Sequence, residues 1–591
     1  MKFLLLFLLL FFYADASSAV DFIAKAKALN ISKKPYWSKL LHYENNHSII
    51  NEDKFFLSKN GKTNLEDELV QTIKYFVEDT NSTCRYPARY KWLNSQLNMN
   101  LNRSTCRELK KFLEPGFKKI SIVFTSERYN SPASVFGHTF LKVDSKYIPY
   151  AINYAATIPE GTDPISYFVK GGAGGFSSHY ELLTYNMKDF EYTQEEFRDL
   201  INYEIKYTQD EVQNIMLHMY EIKDTNEDYY FMSRNCSSEL LKLVDMGRYD
   251  SEIYKELDSV TIPIDVVYIL QNNNLLNKTS ITYSKLKLFN EHLKDLSNDE
   301  KIMLIKIINR KISTTEIDKS SFTKDRKNKI VIAAISYIEM SLMSNKIGHK
   351  YTSTLINLIQ LEIKYDIDEK EQADIPLSKN PVSNKYHRVK LGTRSMDNQK
   401  TELNLGYRYL YSNRFDMLSE EEKHGSVEFL DVNLRYVDDE VSIDKLTILN
   451  MESMPISSEF FTEHTSDFIF GSKRMFYNKS LYSYGEYALG YRFRLNKYFT
   501  YRGAIRAGAY YHNEDIYMAS AEAAVEFRHS SKFISELKYE ANSYTDSQEA
   551  YNIYLNNYYK LNKQSSIDFL LMHKNDTKNY DEMRINYNIY F

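Results

Sequence analysis

The 591-residue sequence has little cysteine, tryptophan and proline, and almost no net charge. It contains 3 Cys, 2 Trp and 11 Pro, so a disulfide-rich scaffold is excluded. The 75 basic and 79 acidic residues leave a net charge of −4, without the basic excess that is typical of nucleic-acid binding. We therefore expect no nucleic-acid partner. The apolar run at residues 4–13 is too short to cross a bilayer as a helix.

Residues 1–19 have the pattern of a secretory signal peptide. Lys2 precedes the short apolar run, and small residues follow it, with cleavage expected after Ala16 or Ala19. The alternative, a buried N-terminal helix, would take Lys2 out of water at a cost in free energy. The sequence therefore predicts an exported protein.

Export changes how the three cysteines are interpreted. Cys84 and Cys106 lie 22 residues apart, and in an oxidising compartment we expect a disulfide between them. That pairing leaves Cys236 without a partner, and an odd thiol in an exported protein is a candidate reactive group. The alternative is that Cys236 is a small, inert core residue.

Aromatic residues are abundant, with 50 Tyr and 33 Phe. Such an excess reflects either nucleotide composition or the aromatic girdles of an outer-membrane barrel. Apolar and polar residues alternate at 402–409, 486–493 and 583–591, and about twelve such segments follow one another from 385 to 591. This pattern predicts an antiparallel transmembrane β-barrel. A soluble β-sandwich also alternates, but it would leave strand edges that a barrel removes.

The chain is expected to be an α+β protein of several domains. They are a helical N-terminal cap with the disulfide at 20–116, a mixed domain at 117–261, a helical connector at 262–384 and the barrel at 385–591.

Within the mixed domain, apolar runs predict strands at 119–124, 139–143 and 147–156. Capping boxes that begin at Thr193 and Thr208 predict two helices. The glycine-rich residues 171–175 are expected to form a loop, and no phosphate cradle is expected there because a P-loop lysine is lacking.

One combination of residues in the mixed domain suggests chemistry. Cys236 stands at a predicted helix start, where backbone N–H groups favour a thiolate. His138, on a predicted strand, would be its base, and Asn153, on the next strand, would orient the ring. The backbone N–H of Cys236 would contribute an oxyanion site. By spacing alone, His138 is equally well explained as a core histidine.

Further residues are candidates for binding the substrate. Tyr230 and Phe231, with Tyr229 before them, would line an acyl groove or simply form core, and His179 is a second histidine that could face the site. Residues with metal-ligand spacing are not found in this region, so no metal and no cofactor are expected.

Three motifs resemble a known family. They are residues 131–140, residues 153–156 and Asn235-Cys236-Ser237, in this order. They resemble the Lnb-type periplasmic domain, one of the circularly permuted, NlpC-type papain-like hydrolases and acyltransferases, a family that includes a lipoprotein N-acyltransferase. The resemblance implies that Cys236 is the nucleophile and His138 its base. It also adds Asn235, from the Asn-Cys motif, to the candidate substrate-binding residues.

The resemblance implies a cysteine acyltransferase or hydrolase that forms a thioester from lipid-linked acyl or amide bonds, with lipoprotein N-acylation as one such reaction. The predicted barrel departs from the acyltransferase and leaves the shared substrate open. The alternatives are a peptidoglycan or peptide amidase, and an outer-membrane barrel with a non-enzymatic binding domain. We expect a lipid or lipoprotein substrate, and an outer-membrane location with the catalytic domain in the periplasm.

Overall fold

In the computed structural model, the chain divides into two compact units, an α+β unit and a barrel. The described residues are 19–79, 81–101, 106–126, 137–343, 348, 351–365, 387–397, 399–410, 413–416, 424–474, 480–545, 549–575 and 579–591. The predicted signal peptide lies outside them except for Ala19, as do positions 131–136 of the first motif. Among the helices of the described residues, none has both the length and the apolar character needed to cross a membrane.

Helices occur throughout the first unit, and its N-terminal region is largely helical. The α-helices of the whole unit, in chain order, are α1 Ala19–Ala28, α2 Pro35–Leu40, α3 Leu65–Glu78, α4 Ser82–Arg85, α5 Pro87–Leu97, α6 Arg107–Leu113, α7 Pro164–Ala173, α8 Tyr185–Phe190, α9 Gln209–Ile222, α10 Cys236–Asp245, α11 Pro263–Asn272, α12 Lys285–Asp295, α13 Asn298–Ile308, α14 Thr315–Lys319, α15 Lys324–Met343 and α16 Thr352–Tyr365. Short 3-10 helices occupy Ile31–Lys33, Asp53–Phe55 and Ile253–Glu256, and a π-helix occupies Glu191–Glu195.

The strands of this unit form a two-stranded hairpin and a central sheet. They are β1 Tyr43–Glu44, β2 His47–Ser48, β3 Lys119–Thr125, β4 His138–Asp144, β5 Tyr150–Thr157, β6 Phe176–Thr184, β7 Leu200–Ile205, β8 Glu227–Tyr229 and β9 Leu276–Thr282. The seven-stranded central sheet has the antiparallel order β8-β6-β5-β4-β3-β7-β9. The predicted strands near 119, 139 and 147 are present as β3, β4 and β5.

Three local predictions were wrong. The glycine-rich residues 171–175 are not all loop, because α7 continues to Ala173 and ends at Gly174. Thr193 does not start a helix: it lies inside the π-helix, and Phe197, at a φ of 54°, turns the chain into β7. The region expected to be a helical connector contributes β9, which pairs with β7 in the central sheet.

The Thr208 prediction is confirmed, because its hydroxyl caps the start of α9. The Glu211 backbone N–H donates to the Thr208 hydroxyl, and the Thr208 N–H donates to the Glu211 carboxylate over 2.6 Å. This reciprocal pair satisfies two backbone donors that the first turn leaves open. The helix packs with a face that includes Val212, Ile215 and Met219, all buried.

The second unit is a closed antiparallel barrel of twelve strands. The strands are β10 Arg388–Met396, β11 Glu402–Leu410, β12 Gly425–Val437, β13 Glu440–Ser453, β14 His464–Arg474, β15 Leu481–Arg494, β16 Phe499–Tyr511, β17 Asp515–Ser530, β18 Phe533–Tyr544, β19 Glu549–Asn562, β20 Ser565–Asn575 and β21 Asn579–Tyr590. Strand β10 pairs with both β11 and β21. This closure confirms the predicted barrel and excludes the β-sandwich alternative.

Side chains of the barrel alternate between an apolar outer face and a polar interior. On β15, Tyr487 and Leu489 are 48% and 43% exposed, whereas Glu486 and Arg492 are buried. In lipid, the outward side chains must be apolar and every backbone polar group must be paired. A closed barrel with an apolar exterior meets both conditions. Many interior positions carry charged side chains that pair with one another, such as Arg506 with Asp467 and Glu486.

Residues 413–416, between β11 and β12, lie inside the barrel. The Arg414 guanidinium contacts Glu526, and Glu536 over 2.8 Å. Asp416 accepts from Arg408 over 2.5 Å, and the Phe415 ring stacks on a strand tyrosine at 4.3 Å. Cavities of about 450 and 230 Å³ in the barrel interior are both lined by Asn413 and Phe415, so these residues occupy part of the lumen.

Candidate active site

The start of helix α10 holds the thiol of Cys236. The Asn235 side chain caps the helix, since its Oδ1 accepts from the backbone N–H groups of Ser237 over 2.9 Å and Ser238 over 3.3 Å. The same amide donates to the backbone carbonyls of Phe231 and Thr261 over 2.9 and 2.8 Å. The Asn235 amide thus makes four hydrogen bonds within the chain, and its predicted role in substrate binding stays a prediction.

His138 occupies the first position of β4, directly after Gly137, whose backbone has a positive φ. Gly137 has a φ of 78°, and a Cβ there would lie 2.8 Å from the ring of Phe124. Any other residue would be strained by conformation and by space. Strand β4 begins at His138, and the His138 side chain interacts with the thiol of Cys236.

The three predicted residues of the catalytic group are brought together. His138 Nε2 lies 2.9 Å from Asn153 Oδ1, and Asn153 is buried on the neighbouring strand β5. With Nε2 engaged in this way, Nδ1 is the ring nitrogen available to the Cys236 sulfur. The Tyr192 ring stacks on the imidazole with centroids 5.9 Å apart, which restricts rotation of the ring.

The electrostatics of the pair favour a thiolate. Burial would raise the pKa of the Cys236 thiol, but His138 and hydrogen bonds from the Thr139 N–H and the Ser237 hydroxyl together lower it to about 6. Burial likewise opposes protonation of His138, yet the thiolate and Asn153 raise its pKa above the usual value. At neutral pH the arrangement therefore supports a thiolate beside an imidazolium.

Tyr229 is a residue of the site whose polar role the sequence did not indicate. Its hydroxyl lies next to Cys236 and interacts with both the backbone N–H and the sulfur of that residue. Burial and the nearby Cys236 thiolate raise the pKa of Tyr229 well above its usual value, so the phenol keeps its proton. A neutral hydroxyl and a backbone N–H thus meet beside the nucleophile.

Asn153 has a second partner, the carboxylate of Glu181. The Asn153 Nδ2 donates to Glu181 Oε2 over 2.9 Å, and the other oxygen lies 3.5 Å from His179 Nε2. His179, expected to face the site, therefore lies behind Asn153, next to Glu181. Glu181 was missed because only strand pairing places it opposite Asn153.

Aromatic rings form an apolar wall beside the nucleophile. The Phe231 ring lies 4.7 Å from that of Tyr167 and 5.9 Å from that of Tyr229. Helix α7 approaches closely, because a Cβ on Gly171 would come within 2.3 Å of Phe231. Tyr230 packs over the end of the same helix, against Gly174.

A buried cluster of ionisable groups lies elsewhere in the unit. His42 Nδ1 contacts Glu227 over 2.6 Å, and its Nε2 lies 2.9 Å from His218 Nε2. In the described residues, His42, Glu227 and Glu239 have ligand atoms within 4.8 Å of one another. However, His42 and Glu227 are directly hydrogen-bonded, and Lys242 donates to Glu239 over 2.8 Å, so polar contacts within the chain account for the group. The absence of a metal remains a prediction.

The predicted disulfide is present between Cys84 and Cys106, whose Cα atoms are 5.3 Å apart. Cys236 is consequently the free cysteine of the chain.

Family models match three stretches of the chain. The family model of the Lnb N-terminal periplasmic domain matches residues 116–273. Domains of unknown function, DUF7843 and DUF7840, match residues 29–96 and 382–590. No curated protein matches the chain.

Solved structures similar to the chain are bacterial outer-membrane proteins. An outer membrane channel from Pseudomonas putida F1 is 9% identical, with a TM-score of 0.26, and the match covers 36% of this chain and 99% of the channel. An anion-selective porin from Comamonas acidovorans is 7% identical, with a TM-score of 0.20, over 35% and 98% of the two chains. OmpT of Vibrio cholerae is 8% identical, with a TM-score of 0.21, over 35% and 96%.

The family match and the closed barrel with its apolar exterior confirm the predicted location, an outer-membrane protein with a periplasmic domain. Residues 116–273 match the family model of the Lnb N-terminal periplasmic domain, and a closed barrel of twelve strands follows them in the chain.

Proposed function

We propose that the protein is a cysteine-dependent acyltransferase or hydrolase that works through a thioester on Cys236. The observation that carries the proposal is the contact of the Cys236 thiol with His138, backed by Asn153 at 2.9 Å. A nucleophile, a base and a group that orients the base are the components of covalent acyl transfer. The lowered pKa of Cys236, about 6, supplies the nucleophile at neutral pH.

The proposed reaction has two steps. The Cys236 sulfur attacks the donor carbonyl, the bond from that carbonyl to its oxygen or nitrogen leaving group breaks, and His138 gives its proton to the leaving atom. An amine or water, deprotonated by His138, then attacks the thioester, and the carbon–sulfur bond breaks to restore the thiolate. The Cys236 N–H and the Tyr229 hydroxyl are suited to stabilise the oxyanion in both steps.

Lipid-linked acyl or amide bonds are the proposed substrate class. The aromatic wall of Tyr167, Tyr229 and Phe231 gives an acyl chain an apolar surface beside the sulfur. The same chain carries a barrel with an apolar exterior, so membrane lipids are available to it. A lipid or lipoprotein is therefore the proposed partner, with N-acylation of lipoproteins as the transfer reaction.

Trapping of the thioester tests the proposal. Purified full-length protein in detergent is incubated with a phospholipid that carries a fluorescent acyl chain, and then denatured. We expect a fluorescent adduct that hydroxylamine removes and that is lost in Cys236→Ala. The matched control is Ser58→Ala, a buried hydroxyl in the N-terminal region, which should label like the wild type.

Equal labelling of wild type and Cys236→Ala would contradict the thioester. Cleavage of purified muropeptides, without any lipid adduct, would identify a peptidoglycan amidase instead. Transfer and hydrolysis are separated by adding a peptide that has a free N-terminal amine and following its acylation.

A further inference from the structure

Four polar side chains lie on one face of the central sheet, across three adjacent strands. His138 is on β4, Asn153 is on β5, and Glu181 and His179 are on β6. In the β5–β6 register, Asn153 lies opposite Glu181, and Ala155 lies opposite His179. Directly opposed residues point to the same face, so the register itself brings these groups into line behind the His138 ring.

Hydrogen bonds connect these groups in sequence. His138 Nε2 lies 2.9 Å from Asn153 Oδ1, and Asn153 Nδ2 donates to Glu181 Oε2 over 2.9 Å. Glu181 Oε1 lies 3.5 Å from His179 Nε2. The line therefore runs from the imidazole beside the nucleophile to a side chain that is 37% exposed.

Asn153 cannot define its own orientation, because a carboxamide has a donor end and an acceptor end of nearly the same shape. An ionised carboxylate only accepts hydrogen bonds. Glu181 must therefore face the NH₂ group of Asn153, which turns the Asn153 oxygen towards His138. That oxygen requires a proton on Nε2, and Nδ1 is left to face Cys236.

We propose that Glu181 is a positioning residue for the Cys236 chemistry, acting through Asn153 to hold His138 in the orientation and protonation state that activate the thiol. The proposal rests on the proposed function. It adds a fourth member to the predicted group of Cys236, His138 and Asn153. Glu181 touches neither the sulfur nor the reacting carbonyl in this scheme.

The exposure of Glu181 indicates how it acts. Its side chain is 33% exposed, so water screens its charge, and the hydrogen bond to Asn153 is the main contribution. A neutral acceptor at this position should consequently preserve most of the effect. A side chain without an acceptor should abolish it, and a pure donor should reverse the Asn153 amide.

Alkylation of Cys236 by iodoacetamide, followed against pH, tests this without any substrate. The full-length protein in detergent has one free cysteine, so the measured rate belongs to Cys236. In the wild type the alkylation rate should rise with pH as the thiol ionises, with a midpoint near the Cys236 pKa of about 6. In Glu181→Leu and Glu181→Lys this midpoint should shift to a higher pH by about one unit, because the imidazolium is no longer stabilised.

Two variants complete the experiment. Glu181→Gln keeps a hydrogen-bond acceptor, and its alkylation midpoint should stay close to that of the wild type. Glu204→Leu is the matched control, since Glu204 is a glutamate of the same sheet, on β7, with 23% side-chain exposure and a lysine partner. If Glu181→Leu fails to fold, Glu181→Lys carries the test, because a partly exposed position accommodates lysine.

The inference and the proposed function fail in different ways. A pH midpoint of alkylation near 6 that is lost in His138→Ala but unchanged in both Glu181→Leu and Glu181→Lys would overturn the role of Glu181 alone. A wild-type alkylation midpoint at the ordinary cysteine pKa, unaffected by His138→Ala, would overturn the thiolate–imidazolium pair and with it the proposed function.

Discussion

His138 Nε2 lies 2.9 Å from Asn153 Oδ1, which leaves Nδ1 as the ring nitrogen that faces Cys236. This single contact assigns different tasks to the two nitrogens. One is held by the sheet, and the other exchanges a proton with the sulfur and the leaving group.

Loss of the Asn153 amide should lower turnover while leaving the fold intact. Asn153→Ala should reduce kcat about tenfold to a hundredfold, because the ring is free to leave its productive orientation. Steady-state kinetics with the fluorescent acyl donor measure this. Asn202→Ala, a substitution at another buried asparagine of the same sheet, should leave kcat within about twofold. Equal losses in the two variants would contradict a specific role for Asn153.

Activity should depend on the ionisation of Cys236. Its pKa is lowered, so the thiolate predominates above about pH 6, and kcat/KM should rise with pH up to that value and fall again at the higher pH where His138 loses the proton that the leaving group needs. In His138→Gln the thiolate should appear only near the ordinary cysteine pKa of about 8.5. Ultraviolet absorbance of the thiolate, titrated in both proteins and compared with Cys236→Ser, measures the shift. Identical titrations would contradict the pairing.

The Tyr229 hydroxyl should contribute to kcat more than to KM. Removing one oxyanion donor typically costs about 10²-fold in kcat, and Tyr229→Phe removes the hydroxyl while keeping the ring in the aromatic wall. Tyr230→Phe is the matched control, as the neighbouring tyrosine packs against Gly174. A rise in KM with unchanged kcat would indicate that Tyr229 only binds the acyl chain.

The disulfide should stabilise the N-terminal region without affecting the thiol. Closure of a 22-residue loop is worth about 3 kcal/mol by the chain-entropy estimate, so the Cys84→Ser, Cys106→Ser double variant should unfold at a lower temperature. Circular dichroism of the full chain in detergent follows the transition. Cys236→Ser, which keeps the bridge, should melt like the wild type. An unchanged melting temperature in the double variant would show that the loop is held by other contacts.

The barrel should conduct ions poorly until its internal segment is released. Arg414 contacts Glu526 and Glu536 across the lumen, so Arg414→Ala should free the segment and raise conductance in planar bilayers severalfold. Lys532→Ala, at an exposed position in the turn between β17 and β18, is the matched control. High conductance of the wild type itself would contradict obstruction of the lumen by residues 413–416 and would favour a pore.

Much of the fold could be predicted from local pattern. Alternation at 486–493 predicts which side chains of β15 face lipid, because side chains point to opposite faces at every step of a strand. Thr208 and Glu211 predict a helix start from their spacing alone. Thr193 has the same spacing and failed, because Phe197 at a positive φ turns the chain into a strand that the sheet requires.

Long-range pairing accounts for what sequence reasoning missed. Strand β9 is polar and unremarkable along the chain, yet it forms the edge of the central sheet beside β7. Glu227 and His42 are 185 residues apart and meet at 2.6 Å. Pairing of this kind depends on strand order and register, which a single sequence does not display.

The sequence by itself determined the barrel, the disulfide and the position of Cys236 at a helix start, because periodicity, cysteine spacing and capping are local properties of the chain. Only the tertiary structure decided that Glu181 lies behind Asn153 and that Tyr229 meets the Cys236 N–H. Those contacts follow from the register of β5 against β6 and from the path of β8. The physical reason is that register selects which side chains share a face, and no residue carries that information alone.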